Sequence, residues 1–245
     1  MNGDIHNPQG EQLDYAFHAG SDNSKRLVLI GHGVTGDKDR PWAQALAEAI
    51  ADAGNSALRF SFSGNGQSQG DFRDCTISKE VTDLSAVIDA AQQAGFEDIG
   101  YAGHSMGGAV GVLSAANDSR LSFLISLAGM VHTAKFAQVE FGDQIPDQGF
   151  MWDEKDCPLS AAFVNDLTQI DTLLPLSNEI KIPWLLIHGD QDDVVPIEES
   201  RQMFEQASNA NTHNELIEIP ESNHVFADAG LHPMISAVTQ WVGAL

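Results

Sequence analysis

The stretch Ile99–Ala116, IGYAGHSMGGAVGVLSAA, decides the fold. IGYA reads as a buried strand and GAVGVLSAA as a helix of small residues. Between them GHSMG, Gly103–Gly107, has the Gly-x-Ser-x-Gly pattern of a tight strand-to-helix turn. Such a turn projects the serine hydroxyl above the sheet, and the flanking glycines let strand and helix pass close. The backbone N–H of Met106, at the helix start, then faces a position where an oxyanion would form. The chain supplies its own control, because Gly66–Gly70, GQSQG, fits the same pattern. It is followed by DFRDC, which has no helical apolar face. Context therefore selects Ser105 as the nucleophile and places Ser68 in a loop.

Working outward, apolar runs of strand length alternate with stretches of helical period. Arg26–Ile30, Ser56–Phe62, Ile99–Ala102, Ser122–Leu127 and Trp184–Ile187 read as strands, with Leu216–Ile219 a shorter candidate and Leu13–Phe17 an N-terminal edge. Several are apolar throughout, as in a parallel sheet covered on both faces. Trp42, Ala45, Leu46, Ala49, Ile50 and Ala53 mark one helix; Val81, Leu84, Ile88 and Ala91 mark a second, behind Ser78. Pro196 and Pro233 open two more. The alternation predicts one α/β domain over 1–245, a doubly wound, mostly parallel sheet with ligands at the carboxyl ends of its strands. Residues 131–180 break the rhythm. They carry scattered aromatics and no clear strand, and read as a cap inserted over the active face. Phe136, Phe141, Phe150, Trp152 and Phe163 would shape an apolar pocket there, or else simply pack the cap onto the domain.

A serine hydroxyl needs an adjacent base, itself oriented by an acid, and in elbow-type hydrolases the chain order is Ser, acid, His. Of the late histidines, His213 precedes the LIEI strand, at the wrong end of the sheet. His232 sits beside Pro233 at a helix start. His224, in the loop PESNHVF just after LIEI, lies at the catalytic edge. For the acid, HGDQDDVVP offers Asp190, Asp192 and Asp193, and spacing does not choose among them. After the first core strand, Gly31–His32–Gly33–Val34 stands where a second oxyanion donor belongs, the backbone N–H of Val34. His32 and His104 read as braces for these loops rather than bases.

Gly31, Gly33 and Gly36 also spell a dinucleotide fingerprint. The next strand, however, ends in Ser63 and Gly64, without the acid a ribose needs. Asp37 follows Gly36 where a phosphate-binding loop requires Lys, and no HExxH-type metal signal is present. The HGDQDD run is not a calcium loop, because Val195 and Arg201 occupy the positions of the turn glycine and the bidentate Glu. The reading calls for neither cofactor nor metal. The dinucleotide reading also leaves GHSMGG, HGDQDD and His224 as coincidences, and a non-catalytic binding module on the same fold is disfavoured because every position of the serine, acid and histidine set holds a usable residue.

Apolar residues make up 42% of the 245 and charged residues 19%, an ordinary globular balance. The formal charge of −23 argues against a nucleic acid or an anionic membrane as partner. No apolar run approaches the ~20 residues a membrane span needs, and the first twenty residues lack a signal-peptide pattern. Cys75 and Cys157 read as reduced thiols, consistent with a cytoplasmic protein. Oligomeric state leaves no mark on the sequence.

At GHGVTG, FSFSGNGQSQGDF, GHSMGG, HGDQDDVVP and ESNH, the chain resembles the α/β-hydrolase superfamily, and within it the small capped bacterial serine esterases of cinnamoyl (feruloyl) type. The resemblance runs from about residue 26 to the end, with 131–180 poorly matched. It implies an α/β-hydrolase fold with a small cap, Ser105, Asp192 and His224 as a triad, and backbone donors at Val34 and Met106. Asp192 is implied because the family's acid sits three residues after the glycine of the HG pair, here Gly189. The chain departs from the family at Ser61, Asn65 and Met106, where Asp, His and Gln are common, so hydroxycinnamate specificity does not transfer with the triad. The expected activity is hydrolysis of a small-molecule carboxylic ester through an acyl-enzyme, with thioester, lactone or amide cleavage as the alternative for the same machinery.

Overall fold

In a computed structural model, which describes residues 3–21, 24–209 and 213–245, the apolar runs assemble into a seven-stranded sheet. The chain begins with a small antiparallel pair, β1 (Ile5–His6) and β2 (Gln12–Leu13), followed by β3 (Tyr15–His18). Then come β4 (Arg26–Gly31), α1 (Pro41–Asp52), β5 (Ser56–Phe60), α2 (Ile77–Gln93), β6 (Asp98–His104) and α3 (Met106–Asn117). After β7 (Leu121–Leu127) lie α4 (Thr133–Phe141) and α5 (Ala161–Ile170). The chain ends with β8 (Trp184–Gly189), α6 (Ile197–Ser208), β9 (Asn214–Ile219) and α7 (Leu231–Ala244).

The strand order is β3-β5-β4-β6-β7-β8-β9, parallel except for β3, which pairs antiparallel with β5. Strands β4, β6, β7 and β8 are buried almost throughout because helices cover both faces. Leu46 and Ile50 of α1 pack with Val238 and Val242 of α7 in one apolar layer. Leu84 of α2, Val110 of α3 and Met203 of α6 share the other. The architecture is thus the doubly wound α/β sheet of an α/β-hydrolase.

Several boundaries differ from the sequence reading, two of them for visible physical reasons. The strand expected to reach Phe62 stops at Phe60, because the Phe62 N–H donates to Nε2 of His32 at 3.0 Å instead of continuing a ladder. Helix α2 is capped by the Thr76 hydroxyl, which accepts from Lys79 N–H, so it starts ahead of Ser78. The last helix likewise begins at Leu231, with Pro233 in its first turn.

The topology places a site. The chain passes from β4 to β5 on one side and returns to β6 on the other, so strand order reverses between β4 and β6. At such a switch point the loops diverge and leave a crevice at the carboxyl ends. Gly31 and Gly103 are in register there, which sets the 31–36 loop beside the turn at Ser105.

Candidate active site

Ser105 is the residue between β6 and α3, and its backbone is held at φ 54°, ψ −117°. This positive φ costs a non-glycine residue about 1–3 kcal/mol and persists only where the surroundings fix it. Here the Ser105 N–H donates to Leu127 O at 2.9 Å, and the Ser105 carbonyl accepts from Met130 N–H at 3.1 Å. Close packing enforces the rest. A Cβ on Gly107 would lie 2.4 Å from the His32 carbonyl oxygen, and one on Gly33 would lie 2.8 Å from Ser105 Cβ. The glycine loop after β4 therefore touches the elbow itself. From beneath, the buried Tyr101 hydroxyl donates to Gly107 O at 3.0 Å.

The N–H of Met106 heads α3, where no intrahelical acceptor exists, and Val34 lies in the adjoining loop. Among the described residues neither N–H donates to a backbone or side-chain acceptor. His32 braces the loop. Its Nδ1–H donates to Gly33 O at 2.8 Å while Nε2 accepts from Phe62. Burial pushes its pKa down to about 4, so it stays neutral near pH 7.

On the opposite wall, His224 Nδ1 lies 2.8 Å from Oδ2 of Asp192. The Asp192 carboxylate is fully buried, and its Oδ1 accepts from the N–H groups of Val194 and Val195, both at 2.9 Å. Burial alone would raise its pKa, but the hydrogen bonds from His188, His224 and Val195 outweigh this and hold it well below the ordinary carboxylate range. Of the three aspartates in the loop, the structure brings Asp192 to His224. Asp190 instead accepts from Glu221 N–H, and Gln191 N–H donates to Ser222 O, which zips the acid loop to the histidine loop. Asp193 is exposed.

His104 completes the wall. Its Nε2–H donates to the carbonyl of His224 at 2.8 Å, and the two rings lie 4.8 Å apart. Burial pushes the His104 pKa down to about 3, so it too is neutral. Elsewhere, the Ser68 hydroxyl donates to Ser61 O and accepts from Asp14 N–H in its loop. The His213 carbonyl accepts from Trp184 N–H at the start of β8, at the amino ends of the strands and away from His224, and His232 is exposed on α7.

Sequence reasoning missed His188. It sits at the end of β8 with no exposed side chain, and its Nε2 lies 2.9 Å from Val195 O and 3.1 Å from Asp192 Oδ2. The Ser200 hydroxyl meets its Nδ1 at 2.7 Å. The signal was present as the histidine of the HG pair, but a buried strand position conceals a polar role. Glu199, in the first turn of α6, was missed too. It is buried, and its Oε2 accepts from the N–H groups of Val131 and His132, tying α6 to the start of the inserted segment.

Ser105 and His224 line one cavity of about 590 Å³ with Trp42, Phe136, Trp152 and Val225. The inserted segment 131–180 thus supplies part of the wall. Its aromatics divide: Phe136 and Trp152 face the cavity, Phe141 and Phe163 are buried in a ring cluster behind it, and Phe150 is exposed. Both cysteines are free thiols. Among the described residues no cluster of metal-binding side chains occurs, and no helix is long and apolar enough to cross a membrane. The glycine loop does not open a helix as a dinucleotide site requires. Residues 32–40 intervene before α1, which starts at a proline without an N–H.

A sheet of this order, with a serine at its switch point and a histidine–aspartate pair across one cavity, defines an α/β-hydrolase. The prolyl oligopeptidase family model matches residues 64–242, and the chain belongs to that family. The structure is similar to Est1E from Butyrivibrio proteoclasticus with bound ferulic acid, with a TM-score of 0.86, 28% identity and 98% of each chain covered. Among curated proteins, the uncharacterized protein YfhR of Escherichia coli is 23% identical over 214 residues, 86% of this chain and 67% of its own length. The mitochondrial palmitoyl-protein thioesterase ABHD10 of Bos taurus is 26% identical over 191 residues, 73% of this chain and 61% of that protein.

Proposed function

We propose that the chain is a carboxylic-ester hydrolase in which Ser105, His224 and Asp192 form the catalytic triad. The Asp192–His224 bond carries this reading, because it leaves Nε2 as the ring nitrogen available to Ser105 on the shared cavity wall. His224 Nε2 takes the hydroxyl proton as Ser105 Oγ bonds to the ester carbonyl carbon. The carbonyl oxygen becomes an oxyanion that accepts from the N–H groups of Val34 and Met106, each donor worth about 2.7–4 kcal/mol in the transition state. The carbon–oxygen bond to the alcohol breaks, and His224 returns the proton to the leaving oxygen. Water then gives a proton to His224 as it attacks the acyl carbon, and the acid departs as Ser105 regains its proton. Asp192 stays ionised and holds the tautomer with the proton on Nδ1.

The similarity to Est1E with bound ferulic acid supports an aromatic or other apolar acyl group, which the Trp42, Phe136 and Trp152 surfaces would accommodate. Similarity to a palmitoyl-protein thioesterase keeps thioester cleavage as the second reading, since the triad does not encode the leaving atom. The deciding measurement is p-nitrophenyl acetate hydrolysis. Ser105→Ala should abolish it while Ser68→Ala retains it, and the reverse pattern would sink the assignment. Parallel assays on matched oxygen esters and thioesters of one acyl group separate the two leaving groups.

A further inference from the structure

Thirty-five acidic residues face only twelve lysines and arginines in this chain. Carboxylate partners for its arginines are therefore plentiful. Arg26, Arg59, Arg73, Arg120 and Arg201 each pair with one. Arg40 does not: among the described residues no carboxylate lies within ion-pair distance of it. It is an exposed residue at the head of α1, and its side chain folds back so that Nη2 donates to Thr35 O at 2.8 Å, in the loop that carries Val34. In that pose Arg40 lines the same cavity as Ser105 and His224. The surrounding wall is largely apolar, with Trp42, Trp152 and Val225 among its members. Asp228, the one carboxylate among the lining residues, stays beyond ion-pair distance.

The bond to Thr35 uses one of the five guanidinium N–H groups and leaves others for a ligand. A carboxylate matches that fork, and next to apolar walls a charge-assisted bond is stronger than in open water. The −23 field of the whole molecule opposes anions, but it is screened over about 8 Å at physiological ionic strength and does not cancel a direct contact.

We infer that Arg40 is a specificity-determining residue that selects esters bearing a second, free carboxylate. This rests on the esterase reading for the site. The carboxylate could belong to the acyl half or to the alcohol half of the ester. The acyl arm compares p-nitrophenyl esters of hexanedioic acid, with one carboxyl free, and of hexanoic acid. The alcohol arm compares hexanoyl esters of para-hydroxybenzoate and of its methyl ester. In each arm the readout is the ratio of kcat/KM for the anionic substrate to that for the neutral one. In one arm that ratio should fall about ten- to hundredfold in Arg40→Met, mainly through KM, and recover in part in Arg40→Lys. The arm that responds identifies the half that carries the charge. Ratios within twofold of wild type in both arms overturn the inference, including when both substrates lose activity together because the loop has lost its brace. Binding to the Ser105→Ala protein gives a second measurement that needs no turnover. In one of two pairs, monoethyl hexanedioate against ethyl hexanoate or hexanoyl para-hydroxybenzoate against its methyl ester, the tryptophan fluorescence should report tighter binding of the anionic member, and Arg40→Met should erase the difference. If that preference holds while the wild type hydrolyses no ester, the esterase reading fails and the carboxylate subsite stands. If esters are hydrolysed without any such preference, the subsite fails alone.

Discussion

Nε2 of His188 lies 3.1 Å from Oδ2 of Asp192, the same oxygen that His224 Nδ1 meets at 2.8 Å. One carboxylate oxygen therefore serves two imidazoles, one on the cavity and one sealed in the sheet. The sealed ring positions the acid; it does not touch substrate. His188→Ala should lower kcat about tenfold with little change in KM, and His188→Gln should restore part of it. Loss of this donor also lets the Asp192 pKa rise toward the ordinary carboxylate range. An unchanged kcat with a lower melting temperature would reduce His188 to a packing role.

The depressed Asp192 pKa makes its charge essential to the proposed chemistry. Asp192→Asn presents an amide that favours the wrong tautomer of His224, and kcat should drop by about a thousand- to ten-thousandfold. Asp193→Asn, at an exposed position, should stay within twofold of wild type. Equal, mild losses in a p-nitrophenyl ester assay would show that another group orients the imidazole.

Gly33 is required for contact rather than for backbone freedom. The methyl of Gly33→Ala would meet Ser105 Cβ at 2.8 Å and the His104 carbonyl at 3.2 Å. The loop must retreat from the elbow and carry the Val34 N–H with it. The expected loss is about a hundredfold in kcat, the order seen when one oxyanion donor is removed. Retained kcat with full folding, checked by circular dichroism, would place the second donor elsewhere.

Glu80 supplies a test of stability against pH. It is buried, among the described residues its Oε2 has no hydrogen-bond partner, and burial, with Asp83 and Asp166 nearby, raises its pKa well above the usual value. The folded state thus holds a proton that the unfolded chain releases near pH 4.3. Stability from this group is full below that pH and falls as pH rises toward the folded pKa. Glu80→Gln removes the titration. Its melting temperature should exceed that of wild type at pH 8, and the gap should close toward pH 4. A gap independent of pH would show that Glu80 is not protonated in the fold.

Much of the sheet was legible because β4, β6, β7 and β8 are buried on both faces and must be apolar throughout. The elbow was legible because a strand, a serine between glycines and a small-residue helix occur in immediate succession. The partner of His224 was not legible in the spacing of the aspartates; the family resemblance alone implied Asp192. Asp190, Asp192 and Asp193 share one loop, and its hydrogen bonds to residues 221 and 222, with those that Asp192 takes from Val194 and Val195, decide which carboxylate turns inward. Helices α4 and α5 were hidden among prolines and acids in 131–180, although Ser160 caps α5 through Phe163 N–H. Arg40 gave no sequence signal, because what marks it is a missing neighbour.

Every group given a role in the proposed chemistry, from Val34 and Ser105 to Asp192 and His224, lies outside residues 131–180, whereas Phe136 and Trp152 of the cavity wall lie within them. The inserted segment leaves the sheet after β7 and rejoins it at β8, and Glu199 fastens its entry to α6. The reacting groups and this part of the cavity wall are therefore encoded in separable stretches of gene, while Arg40 and Trp42 keep the rest of the wall beside the reacting groups. Descendants of this scaffold could diversify their diets by rewriting one contiguous block, while the reacting machinery is inherited untouched.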